Sequence, residues 1–253
     1  MSLVAKLVLS PLLVVQAMRT RARMPRLREA VGEREGEIGN GPLLRVLIAG
    51  DSSAAGVGAS EQRHALAGQL SLALARHCAA RVRWRLVARS GITSAQCIEL
   101  IDAAGPVDAD VAVIALGVND VVDQVPSHRA LAAREALANR LRNAHGVSHI
   151  VFAPLPPLHR FPGLPQPLRW VAGQDARRHD HAMAQWAAER ARSHGDVSHV
   201  PIELPLNAGL MARDGFHPGP SVYRICGVAL AEHIAAHVWP TIRQPQQPEE
   251  SSR

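Results

Sequence analysis

A chain of 253 residues with 47% hydrophobic side chains has the length and apolar content of one α/β domain. Its formal charge of +6 sits in residues 1–28, where Lys6, Arg19, Arg21, Arg23, Arg26 and Arg28 meet no acid, while the remaining 225 residues balance 22 basic against 22 acidic side chains. A neutral body has no basic groove for phosphates, and three Phe with one Tyr make a poor base-stacking platform, so a nucleic-acid partner is excluded.

Residues 3–18 form an apolar run broken by Lys6, Ser10, Pro11 and Gln16, with the arginine cluster directly behind it. The run is shorter than the ~20 residues of a bilayer span. A signal peptide carries its charge in front of the apolar run; here the charge follows. Residues 1–28 are expected to form an apolar and basic helix. One placement sets its arginines against an anionic membrane surface, each worth about 1 kcal/mol there. The other packs it on its own domain beside the active site. A cytoplasmic or peripheral membrane-associated protein is expected, with export left open. Cys78, Cys97 and Cys226 make no CxxC or Cys/His metal spacing. Cys78 and Cys97 fall in apolar helical patterns as small buried hydrophobes.

Residues 29–41, punctuated by Gly32, Gly36, Gly39 and Gly41, read as a polar linker. The main domain then runs over 42–243. Strand-like runs cover 43–49, 82–88, 111–116, 149–155 and 197–202. Helical patterns cover 64–78, 94–103, 129–144, 174–193 and 221–238. This alternation predicts a five-stranded parallel sheet with helices on both faces and right-handed crossovers. The proline-rich stretch 154–167 is an ordered-loop candidate. Its Leu155, Leu158, Phe161 and Leu164, with Leu168 and Trp170 beyond, suit an acyl pocket and a packed connector equally. Residues 244–253 are polar, with no apolar anchor, and are expected to be a disordered tail.

Chemistry gathers at the strand ends. The first strand ends in Gly50-Asp51-Ser52, the second in Arg89-Ser90-Gly91 and the third in Gly117-Val118-Asn119-Asp120; Asp214-Gly215-Phe216-His217 follows the fifth. In a parallel sheet all four fall on the edge where ligands bind. Ester hydrolysis needs that set: a nucleophile, a base, a group orienting the base, and donors for an oxyanion. Rival motifs fail. Glu61 stands where a dinucleotide fingerprint beginning at Gly56 needs its third glycine. Ala54 stands where a Gly-x-Ser-x-Gly elbow needs its second. Asp110, Asp120 and Asp123 lack partners at metal-ligand spacing, so no metal or cofactor is expected.

These segments resemble the sequence blocks of the SGNH hydrolases, the GDSL esterase/lipase superfamily. Gly50-Asp51-Ser52 matches the first block, Gly91 the second, Gly117 to Asp120 the Gly-x-Asn-Asp block, and Asp214 to His217 the Asp-x-x-His block. The matches run in the family's order over 50–217; Ser53 replaces the nickname's leucine, and residues 1–40 lie outside. The resemblance implies a flavodoxin-like three-layer α/β/α sandwich. It implies a Ser52, His217 and Asp214 triad that cleaves a carboxylic ester, thioester or lipid acyl ester through an acyl-enzyme. It also implies an oxyanion hole from the Ser52 and Gly91 backbone N–H groups and the Asn119 side chain. Asp51 and Asp120 are read as helix caps or loop braces. The alternatives are an acyltransferase using the same triad and a catalytically silent protein binding a membrane surface.

Overall fold

The computed structural model describes residues 3–204 and 209–243; the tail expected over 244–253 lies outside them. Five strands form where the apolar runs predict them: β2 (Leu43–Gly50), β3 (Arg81–Ala88), β4 (Val111–Ala115), β5 (His149–Phe152) and β6 (Val197–His199). They pair in parallel in the order β3-β2-β4-β5-β6. β5 stops short of the expected residue 155 because Pro154, Pro156 and Pro157 follow, and proline cannot donate to a ladder.

The five-strand expectation needs one correction. Inside the expected linker, β1 (Glu35–Ile38) adds a sixth, antiparallel strand on the outer edge of β3. Its backbone ladder with β3 is flanked by charge: Glu37 accepts from Arg81 at 3.3 Å and from Arg83 at 3.2 Å. The segment before it is also packed. The Ala30 N–H donates to the Ala55 carbonyl and the Val31 N–H to that of Ser60, so residues 29–31 lie against the loop after β2.

Helices cover both faces of the sheet. The alternation of side chains along a strand sends Leu44, Val46 and Ile48 of β2 into a core shared with α2 (Leu66–His77) and α7 (Pro220–His233). Leu47 and Ala49 enter the opposite core with α3 (Ser94–Ala103), α5 (Ser127–His145) and α6 (Leu168–Ser193). The result is the three-layer sandwich the β-α alternation requires. A short helix, α4 (Val118–Val122), follows β4, and α7 runs through a π turn (Ile234–Val238) into α8 (Trp239–Arg243). Cys78 and Cys97 are buried as expected, and burial pushes their thiols up to about 11 and about 12.

A smaller third cluster gathers Leu155, Leu158, Phe161 and Leu164 with Met211 and the partly buried Phe216. The 154–167 stretch is therefore a packed connector, and Trp170 stays outside that cluster with 42% exposure. The first helix, α1 (Leu3–Arg23), rests on this region. Gln16 donates to the Gln166 carbonyl at 2.7 Å and accepts from the Leu168 N–H at 3.1 Å.

The tightest point of the sheet is Gly50, the last residue of β2, with φ of +151°. A Cβ there would fall 1.9 Å from the Ala115 carbonyl oxygen. Gly50→Ala must strain its backbone and push β2 from β4, and is expected to cost roughly 3 kcal/mol or more. Urea unfolding of the purified variant checks this; a loss under about 1 kcal/mol would mean that the strands yield freely.

Candidate active site

The strand register assembles the site. Gly50 pairs with Ala88 on one side and Ala115 on the other, so the turns after β2, β3 and β4 leave the sheet side by side. Ser52 and Gly91 follow within the turns after β2 and β3, and Asn119 in the first turn of α4 after β4. Ser52 begins a compact turn in which the Ala55 N–H donates to the Asp51 carbonyl and that of Val57 to the Ser52 carbonyl. From α7, the buried Tyr223 hydroxyl donates to the Val57 carbonyl at 2.6 Å.

Residues 214–217 arrive from the far end of the chain on a tight turn just before α7. The Ala212 N–H donates to the His217 carbonyl and that of Gly215 to the Ala212 carbonyl, while the connector's Gly163 N–H donates to the Gly215 carbonyl. Phe216 meets Phe161 edge-on with ring centroids 5.3 Å apart, and its other contact is the His217 ring, also at 5.3 Å. This turn brings His217 Nε2 to 3.1 Å from Ser52 Oγ and His217 Nδ1 to 2.6 Å from Asp214 Oδ2. The other Asp214 oxygen accepts the N–H groups of Phe216 and His217 at 2.9 and 3.0 Å. Burial raises the Asp214 carboxyl, but the His217 ring and those two amides outweigh it and hold it below the usual carboxylate range. An ionised Asp214 only accepts hydrogen bonds. The imidazole proton therefore sits on Nδ1, and Nε2 faces the Ser52 hydroxyl as an acceptor.

Asn119 Nδ2 donates to the Ile92 carbonyl at 2.9 Å and, more weakly, to Asp51 Oδ2 at 3.4 Å. That network assigns the nitrogen and oxygen of the amide. Gly91 has φ of +84° with nothing within 4 Å of a notional Cβ, so its requirement is conformational rather than steric. Among the described residues, the Ser52 and Gly91 N–H groups donate to no protein acceptor. All five residues singled out from the sequence thus lie at one edge of the sheet.

The supporting residues are less legible. Asp120 is a brace, as expected. It accepts the Ser94 N–H at 3.0 Å, at the start of α3, and the Ser94 hydroxyl at 2.5 Å. Its counter-ion, Arg134 on α5, lies 3.2 Å away with both side chains 2% exposed. Nothing in the α5 sequence distinguishes Arg134 from its solvated arginine neighbours. Glu29, the first residue of the expected linker, accepts from both the N–H and the hydroxyl of Ser90, next to Gly91. That partner is remote in sequence, so no local pattern marks it. Asp110 is engaged by Arg45, away from Asp120.

Comparison with known proteins agrees with this architecture. Residues 48–225 match the GDSL-like lipase/acylhydrolase family. The chain belongs to that family, and its class of activity is carboxylic ester hydrolysis. A relative, the GDSL-like esterase Rv1075c of Mycobacterium tuberculosis, is 29% identical over 241 residues, covering 85% of this chain and 73% of the relative. Among solved structures, a family 3 carbohydrate esterase of Clostridium thermocellum superposes with a TM-score of 0.63 at 14% identity, over 80% of this chain and 100% of that one. The lipase Lip_vut3 from a goat rumen metagenome gives 0.58 at 15% identity, over 78% and 98%. These two share the fold.

Asp51 and Asp214 respond to pH in opposite senses. Burial lifts the Asp51 carboxyl to about 6, despite the N–H groups of Ser53 and Gly117, against ~3.9 in an unfolded chain. Its contribution to stability is full below ~4 and is lost as pH rises through about 6, where the fold must hold a buried charge. The depressed Asp214 contributes above ~4 and loses its contribution as pH falls. Replacing Asp51 with Asn removes the first effect alone. The unfolding free energy of the wild type relative to Asp51→Asn should therefore fall by about 3 kcal/mol between pH 4 and pH 7.5. Denaturant titrations across that range measure it, and a difference independent of pH would show that Asp51 does not titrate there.

Proposed function

We propose that Ser52, His217 and Asp214 hydrolyse an ester through a covalent acyl-enzyme, and that the substrate is a lipid or other acyl ester met at a membrane surface. The observation that carries the first part is the unbroken relay of hydrogen bonds from Ser52 Oγ through the His217 ring to Asp214. In the first step Oγ attacks the ester carbonyl carbon while Nε2 takes its proton; Nε2 then returns that proton to the leaving alcohol. Asp214 stabilises the imidazolium formed between these events. Water attacks the acyl-enzyme by the same route in reverse, releasing the acid and restoring Ser52.

Negative charge develops on the carbonyl oxygen in both tetrahedral intermediates. The unengaged N–H groups of Ser52 and Gly91 supply two donors. The Asn119 N–H held only loosely by Asp51 supplies the third, while the bond to Ile92 keeps the amide aimed. Donors set in advance stabilise a transition state without reorganisation.

The membrane part rests on α1. Leu12, Val14, Val15 and Met18 are between 42 and 67% exposed, and Val14 and Met18 lie on the side away from Gln16, which docks on the domain. An apolar helix face backed by arginines fits the interface of an anionic bilayer.

Ser52→Ala should lower turnover of p-nitrophenyl butyrate by about 10⁴-fold or more, and Asn119→Ala by about 10²–10³-fold, with folding intact by circular dichroism. A fluorophosphonate should label the wild type once, at Ser52. Labelling elsewhere, or full activity in Ser52→Ala, would overturn the acyl-enzyme.

A further inference from the structure

We propose that the groove between α1 and the Pro162–Arg169 segment is a binding site for the phosphate of an anionic membrane lipid, seated beside the turn that carries Asp214 and His217. This rests on the reading of α1 as a membrane-facing helix and assigns it a specific ligand contact. The groove encloses about 530 Å³, within the roughly 300–1,000 Å³ of small-ligand sites. Gln16, Arg19, Thr20 and Arg23 line it from α1, and Pro162 to Pro165, Arg169 and Asp214 from the domain. Residues 16, 19, 20 and 23 follow the helical i, i+3, i+4, i+7 spacing, so one face of α1 forms the wall.

Three guanidinium groups line this groove with one carboxylate, Asp214, whose oxygens are already taken by the His217 ring and the Phe216 and His217 N–H groups. Among the described residues, Arg19, Arg23 and Arg169 have no carboxylate within ion-pair distance, whereas Arg34, Arg45, Arg134, Arg140 and Arg190 each do. Arg169 is aimed by its own backbone bond, its Nε donating to the Leu164 carbonyl at 2.6 Å, which leaves its terminal nitrogens to a ligand. Guanidinium groups pair with phosphate oxygens through two parallel hydrogen bonds. The exposed apolar side chains of the same helix select the source. Leu12 and Val15 precede Arg19 at i−7 and i−4 on the flank of the groove face and are 46% and 42% exposed; a soluble phosphate ester has no use for them, whereas a phospholipid surface buries them while its headgroup reaches the arginines.

The test is flotation of the full chain with phosphatidylcholine vesicles with and without phosphatidylglycerol. The wild type is compared with Arg19→Gln/Arg23→Gln and with the charge-matched control Arg21→Gln/Arg26→Gln. Binding is expected only with phosphatidylglycerol, weakened about tenfold or more in the groove pair and less than about threefold in the control pair. Turnover of soluble p-nitrophenyl butyrate should stay unchanged in both, which separates this result from misfolding and from failure of the catalytic reading. Equal losses in the two pairs would overturn the site while leaving a diffuse membrane attraction. Titration with sn-glycerol 3-phosphate forms the second arm. Saturable binding of that probe, sensitive to Arg19→Gln/Arg23→Gln, with no vesicle binding would overturn the lipid and assign the groove to a soluble phosphate. Neither vesicle nor probe binding would overturn the proposal outright.

Discussion

The contact on which the molecule depends is the one between Gly50 and the Ala115 carbonyl. β2 runs between β3 and β4, and its last residue lies so close to β4 that a methyl group cannot enter. That closeness brings the turns after β2, β3 and β4 to one edge with no displacement along the strands. Ser52, Gly91 and Asn119 inherit their proximity from this register, because each leaves its strand within a few residues of the same row. Widening the β2–β4 spacing would separate Ser52 from Asn119 before it disturbed either turn.

Polar groups buried beneath that edge make the turns stiff. Asp51 joins the Ser53 amide to the Asn119 side chain, and Asp120 joins the start of α3 to Arg134 on α5. A buried ion pair adds little net stability, since desolvation offsets the attraction, but losing one partner leaves an expensive unpaired charge. What such pairs supply is a single arrangement. With Arg134 fully inside and hydrogen-bonded to both Ser94 and Asp120, α3, α4 and α5 cannot shift independently. The Asp214–His217 turn is braced differently, by the backbone bond from Gly163 and by Phe216, which meets Phe161 and His217 edge-on. The proline-rich stretch before α6 is thus a support for the turn.

Outside the sheet, α1 touches the domain lightly. Two hydrogen bonds from Gln16 tie it to residues 166 and 168, and Leu12, Val14, Val15 and Met18 remain in solvent. A helix packed as a core element would bury those residues. The two placements that the sequence leaves open for it, on a membrane or on its own domain, are therefore compatible: one face meets residues 162–169 and the other stays free.

The sequence by itself determined the five parallel strands, the helices between them and the strand-end residues, because those depend on local periodicity and on turn chemistry at short spacing. Ser94–Ala103 coincides with its expected helix, and Ser52, Gly91, Asn119, Asp214 and His217 could be named because their short blocks resemble, in order and spacing, those of the SGNH hydrolases. Tertiary structure alone decided the rest. The edge strand Glu35–Ile38 exists because it finds a backbone ladder along the open edge of β3, where Glu37 also meets Arg81 and Arg83, and a glycine-punctuated local pattern hides it. Leu158 and Phe161 became connector core once Met211 and Phe216 folded onto them. Arg134 and Glu29 acquired their roles from partners 14 or more residues away. Local sequence records which way a side chain points along its own element; which charge or ring waits for it across the fold is set only when the layers close.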